Sequence, residues 1–215
     1  MAKFKKRIFT SVALFVLFVI FTVLLKVSDV KRIGPCETLV GFATLNEYFH
    51  NFTGVNMYLY YLTDYLSLIP LFVISYFALL GLAQWMKRKS FLKVDRGILI
   101  TGVFYVVVFM TYLFFETVVV NYRPILIDGC LEASYPSSTT MLVTCVMITL
   151  MFYLNGIIKS KTIKNLAYFL IVAFIAFMVI ARIASGVHWL TDIVGGLLIS
   201  TSLITIYSTF YENKQ

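Results

Sequence analysis

The chain has 215 residues, of which 60% are hydrophobic and 13% charged, with a mean hydropathy of +0.91. That composition excludes an ordinary soluble globular domain and points to an integral membrane protein. The net charge of +8 then reflects where Lys and Arg stand relative to a membrane, and gives no ground for expecting a nucleic-acid partner.

Taken in chain order, Ile8 to Leu25 is an uncharged apolar run preceded by Lys3, Lys5, Lys6 and Arg7. It reads as a first transmembrane helix in preference to a signal peptide, because it is too long for a usual h-region and Lys26-Val27-Ser28-Asp29 offers no small-x-small cleavage site. Further spans are expected at Leu66 to Met86, Gly97 to Val120, Thr139 to Ile158, Leu166 to Ala184 and Leu190 to Tyr207. The expected fold is therefore an all-α integral membrane bundle of six transmembrane helices, one membrane-embedded domain over residues 1–215.

Six spans put both termini on one side. Lys3 to Arg7, the Lys87 to Arg96 cluster, Lys159, Lys161, Lys164 and Lys214 all fall on that side, which the positive-inside rule makes cytoplasmic in a plasma membrane. The long outer connection Lys26 to Tyr65 mixes aromatics with single polar residues, as suits an interfacial or re-entrant helix or a partly soluble cap. His50 within it has no second His or Cys at metal spacing and reads as an interfacial aromatic-like residue. Asn51-Phe52-Thr53 matches a glycosylation triplet, a weak signal. Cys36 and Cys130 fall in outer connections, where the sequence leaves a disulfide open, and Cys145 reads as a small packing residue.

Two outer segments carry chemistry. In Asn121 to Ser138, Arg123 precedes Pro124 and is expected to be extended, ending the third span. Pro136 begins a turn whose Ser137 and Ser138 can cap the fourth helix, leaving outward backbone N–H groups that with the two hydroxyls form a candidate anion cradle. In Ala181 to Asp192, ARIASGVHWLTD, a helix from Trp189 onward would put His188 and Asp192 on one face. The carboxylate then holds one ring nitrogen and leaves the other free as a nucleophile or base. Arg182 adds a planar fork of donors suited to phosphate oxygens.

These segments come in the order of the type 2 phosphatidate phosphatase superfamily, which the chain resembles. Members are membrane lipid phosphatases related to vanadium haloperoxidases, with the pattern KxxxxxxRP, PSGH, SRxxxxxHxxxD. Arg123-Pro124, Pro136-Ser137 and the Arg182, His188, Asp192 spacing match it. The departures are Glu116 at the first-motif Lys position, Ser138 and Thr139 at the second-motif Gly and His positions, and Ala181 at the third-motif Ser. The resemblance implies that His188 attacks phosphorus to form a phosphohistidine, that Asp192 orients it, and that Arg123 and Arg182 clamp phosphate. One clamp and the general acid of the family are missing. The substrate implied is a membrane lipid phosphate; no metal or cofactor is implied, since no carboxylate or His cluster stands ready to hold one.

Charge decides how the departures are read. Unit charges about 4 Å apart interact by about 4 kcal/mol at an effective dielectric near 20, so Glu116 facing the pocket would repel phosphate unless it pairs with Arg123 or Arg182 or is protonated. Thr139 donates a hydrogen bond but cannot deliver a proton as His does, a deficit of roughly 10²- to 10⁴-fold. A lipid monophosphate expels an alkoxide whose conjugate acid has a pKa on the order of 16. A diphosphate expels a phosphate monoester whose second pKa is about 6, so a phosphatase of this kind is expected to prefer lipid diphosphates such as polyprenyl diphosphate. A non-hydrolytic relative that binds lipid phosphates or a membrane partner, and a lipid phosphotransferase, stand as the other readings.

Overall fold

The computed structural model describes residues 2–212. Lys214, assigned above to the basic side, lies outside them. The chain forms α1 (Ala2–Val27), a pair of two-residue antiparallel strands β1 (Lys31–Arg32) and β2 (Leu39–Val40), then α2 (Ala43–Thr53), α3 (Met57–Leu66), α4 (Leu68–Arg88), α5 (Arg96–Thr117), α6 (Ser138–Ile157), α7 (Lys161–Ala184) and α8 (Leu190–Glu212). Among the described residues six helices, counting α3 and α4 as one, are long and apolar enough to cross a membrane. The chain is a multi-pass membrane protein.

The expected boundaries need correction in several places. The second span begins at Met57, not Leu66, because Ser67 between α3 and α4 keeps helical angles (φ −67°, ψ −11°) and the two run on as one 32-residue span. Four tyrosines and Asp64 lower the hydropathy of α3, yet two of its polar residues are turned into the protein: Tyr60 and Thr63 are buried. The connection between the first two spans therefore shrinks to residues 28–56, and only α2 keeps the place of the expected interfacial helix. The third span ends at Thr117, not Val120, where Val118 leaves the helix at φ −99°, ψ 78°. At the other end of the bundle, α7 starts at Lys161, so that Lys161 and Lys164 lie inside its first turns and not in the connection. Ser160 caps it by accepting from Ile163 N–H at 3.5 Å.

The central pair is α6 and α8, each 44% buried over its span against 11% for Met57–Arg88. Without a hydrophobic drive between helices in lipid, close approach depends on small residues. Ser11 of α1 and Ser202 of α8 donate to each other's carbonyls at 2.9 and 3.0 Å. Gly195 of α8 lies under the Tyr135 ring, where an added Cβ would stand 2.3 Å from a ring carbon, and one added at Gly196 would stand 3.0 Å from the Ser137 carbonyl oxygen. Tyr135 in turn bonds Thr22 of α1 at 2.7 Å. These contacts draw the start of α6 onto the start of α8.

Arg7 meets Glu212 at 2.6 Å, so both ends of the described chain share the end of the bundle opposite His188. At the His188 end, Asp29 accepts the Thr44 N–H at 2.7 Å and caps α2 from across the turn, which holds its carboxyl below the usual range. Cys36 and Cys130 sit on separate loops, both exposed and unbonded, so the pairing left open above is not made. Cys145 is buried in the core of α6.

Candidate active site

The turn from Ser185 to Trp189 joins α7 to α8 and is fastened on every side. Gly186 adopts φ +64°, and a Cβ there would meet the Gly54 carbonyl oxygen at 1.8 Å, so only glycine lets the α2–α3 turn press so close. Asn56 N–H donates to the Ser185 carbonyl at 2.9 Å. The fully buried Asn46 accepts from Thr191 N–H at 3.2 Å and caps α8 from α2. His50 packs its ring on Trp189 at 5.5 Å and bonds to Gly186; burial lowers its pKa. It is a packing residue of this turn, as its sequence context suggested.

His188 and Asp192 are brought together, though not in the way expected. The helix begins at Leu190, so His188 precedes it. Asp192 reaches back to accept the Trp189 N–H at 2.9 Å, the acidic half of a capping box, and the same Oδ2 stands 3.6 Å from His188 Nδ1. Asn121 donates to its other oxygen at 3.4 Å. Asp192 is wholly buried and His188 is 6% exposed. Desolvation lowers the imidazole pKa to about 4, helped by the nearby Arg123 and Arg182 cations and opposed by Asp192. The ring is therefore neutral near pH 7. With Nδ1 turned to the carboxylate, Nε2 presents its lone pair to the Arg123 guanidinium, whose Nη1 lies at 3.3 Å.

Arg123 reaches this place on a hairpin. Arg123 N–H bonds the Glu132 carbonyl at 3.0 Å, Tyr122 bridges Ala133, and Asp128-Gly129 make the tip with φ of +50° and +78°. Trp189 Nε1 pins the hairpin by donating to the Tyr122 carbonyl at 2.8 Å. Arg182, in the last turn of α7, is 2% exposed.

Both guanidiniums face carboxylates that sequence reasoning missed. Arg123 Nε pairs with Glu132 at 2.9 Å, and Arg182 Nη2 with Asp64 at 2.5 Å. Tyr60, one turn before Asp64 on α3, lies under both cations, at 5.6 and 5.0 Å from its ring centre. A Tyr and an Asp four apart in an apolar helix could have flagged this face; Glu132 carries no such signal in a loop. Arg182 still has Nε and Nη1 buried without a hydrogen-bond partner.

The remaining candidates divide. Thr139 accepts from Arg182 Nη2 at 2.6 Å, so its hydroxyl oxygen orients the Arg182 guanidinium. Ser137 does not join an anion cradle through its hydroxyl: it is fully buried, accepts the Thr140 N–H at 3.4 Å, and spends its own N–H on the Asp192 carbonyl at 3.0 Å. Ser138 does face the cleft. Glu116 pairs with neither Arg123 nor Arg182, both of which have their own carboxylates; it is exposed and lies beside the Tyr112 hydroxyl.

A polar cleft of about 510 Å³ opens over Arg123, Glu116, Glu132 and Ser138. A narrow extension between Glu116, Ser138 and His188 leads inward. On the membrane side, Tyr112 and Ser138 also bound an apolar groove of about 320 Å³ between α4, α5 and α6. That groove shares Ile74, Tyr105 and Phe109 with a wider one, about 750 Å³, running along α4 and α5 to Trp85 and Phe91.

The sequence profile of the PAP2 superfamily matches residues 11–215. The chain belongs to the PAP2 superfamily. The fold is similar to the crystal structure of a transmembrane PAP2 type phosphatidylglycerolphosphate phosphatase from Bacillus subtilis, with a TM-score of 0.62 at 17% identity over 95% of this chain and 96% of that one. No curated protein matches the sequence. This PAP2 member thus has the fold of a membrane lipid phosphatase, with the His188, Asp192, Arg123 and Arg182 positions of the family pattern gathered at one end of the bundle.

Proposed function

We propose that this PAP2 protein hydrolyses a lipid phosphate at the outer face of the plasma membrane through a phosphohistidine on His188, with lipid diphosphates favoured. The observation that carries this reading is the pair of unpartnered, buried Arg182 donors beside a neutral His188 whose Nε2 faces a second guanidinium. Buried N–H groups left unbonded are costly, and a phosphoryl group satisfies them. The basic residues at the opposite end support the outward orientation, with both termini cytoplasmic.

In the first step Nε2 attacks phosphorus, and the bond to the leaving oxygen breaks with its electron pair on that oxygen. Asp192 stabilises the positive charge that develops on the ring. Arg123 and Arg182 hold the equatorial oxygens, exchanging Glu132 and Asp64 for phosphate, and Ser138 lies within the same cleft. Thr139 is committed to Arg182 and is no proton donor, so the departing group must be stable as an anion. A phosphate monoester meets that need and an alkoxide does not.

The apolar groove supports a long single chain. Tyr112 at its head and Ile98 near its foot are fourteen residues apart on α5, about 21 Å of helix, which exceeds the roughly 15 Å of half a bilayer core. A polyprenyl chain fills such a length. Phosphate release by purified protein in liposomes, from a polyprenyl diphosphate beside phosphatidate, tests the reading with His188→Ala as control. Release from the diphosphate that vanishes in the variant is expected. Faster turnover of phosphatidate would refute the diphosphate preference, and no release from either lipid would leave phosphate binding without hydrolysis.

A further inference from the structure

The carboxylates at this end of the bundle are not equivalent. Asp64 and Glu132 each face a guanidinium, and Asp192 is held by Trp189 N–H and Asn121 beside the imidazole. Glu116 has no cation partner among the described residues. It is exposed on the last turn of α5 and borders both the solvent-open cleft with Arg123 and the narrow extension that reaches His188. Glu116 thus lines both the cavity open to solvent and the one that His188 borders. Ser138 and Tyr112 flank the same passage.

We propose that Glu116 is the general base of the second half-reaction, taking the proton from the water that hydrolyses the phosphohistidine; this rests on the phosphohistidine reading above. The water oxygen bonds to phosphorus as the P–Nε2 bond breaks, and that electron pair returns to Nε2. The water proton passes to a Glu116 oxygen, inorganic phosphate departs, and Glu116 releases the proton to solvent. A carboxylate repels a bound dianion, which is why a phosphate-clamping Lys would be the poorer neighbour for this step and Glu the better one: it favours product release from a cleft that Arg123 already lines. The division of labour also fits the leaving group. With a diphosphate the first step needs no acid, so the proton transfer that remains to be catalysed is the one from water.

The test is rapid-quench kinetics on Glu116→Gln and Glu116→Ala with a polyprenyl diphosphate in liposomes. Both variants are expected to release one equivalent of lipid monophosphate per protein in a burst and then to stall, with steady-state phosphate release down 10²- to 10⁴-fold. Acid-labile, alkali-stable phosphate should accumulate on His188, and formate should restore turnover to Glu116→Ala but not to Glu116→Gln. Glu116 is exposed at a helix end, so both variants are expected to fold. Loss of the burst together with turnover, or steady-state rates within threefold of the parent, overturns the base assignment. The absence of any His188-dependent product from the parent protein refutes the phosphohistidine reading instead.

Discussion

Two walls of the same cleft are built on opposite principles. The nucleophile wall, residues 185–192, has its polar groups bound from α2, the 121–134 hairpin and α6, and its His188 and Asp192 are nearly or wholly buried. The facing wall, Tyr112 to Glu116 with Ser138 and Thr139, is partly exposed, carries three of the four departures from the family pattern, and continues into apolar grooves that lipid can fill. The difference teaches which half of the chemistry is held by the fold. On the proposed mechanism the nucleophile's geometry cannot drift without breaking a buried network, whereas the exposed Glu116 can be exchanged at little structural expense.

The sharpest way to break the comparison is at His188. His188→Ala should reduce lipid phosphate hydrolysis to background while Glu116→Gln leaves a first turnover, so equal behaviour of the two variants in a single-turnover assay would erase the distinction between the walls. The facing wall should accept a restored acid. Thr139→His is expected to raise the rate on phosphatidate relative to a polyprenyl diphosphate by at least tenfold, measured as a ratio of kcat/KM values, and an unchanged ratio would refute the leaving-group argument.

The nucleophile wall also predicts a pH dependence. The folded chain keeps His188 neutral down to about pH 4, whereas an unfolded His protonates near 6.5. The unfolded state therefore binds the extra proton as pH falls through 6.5 to 4, and stability is lost over that window, by about 3 kcal/mol at its foot. Thermal unfolding in detergent at pH 7 and 4.5 should show a smaller drop for His188→Gln than for the parent. The smallest effect separates tight from loose packing. Gly195→Ala, which drives a methyl into the Tyr135 ring, should destabilise the protein by about 1–3 kcal/mol. Gly102→Ala, which meets open space in the groove, should leave the melting temperature unchanged or slightly raised.

Much of this was legible in the sequence where the signal is local. The apolar runs located all six spans, because lipid forces each backbone segment to satisfy its own hydrogen bonds over a fixed thickness. The start of the second span was missed because α3 reads as polar: Tyr60 and Asp64 interrupt its hydropathy in order to meet Arg123 and Arg182. The His188 to Asp192 spacing was readable, but not its basis, which is a capping contact to Trp189 N–H and not a shared helix face. Of the two serines expected in an anion cradle, Ser138 borders the cleft and Ser137 is spent on capping, a split that depends on where the α6 N-terminus meets α8.

By itself the sequence determined the membrane class, the number of spans, and the short-range spacings that place Arg182, His188 and Asp192 at one end of a bundle, because each depends on residues within about one span of each other. Only the tertiary structure decided the partners. The Arg182–Asp64 pair joins residues 118 apart in the chain, and Asn46 caps α8 across 145. Such contacts follow from how helices pack through small residues such as Gly195, Gly196 and Ser202, a property of two surfaces that no single segment contains.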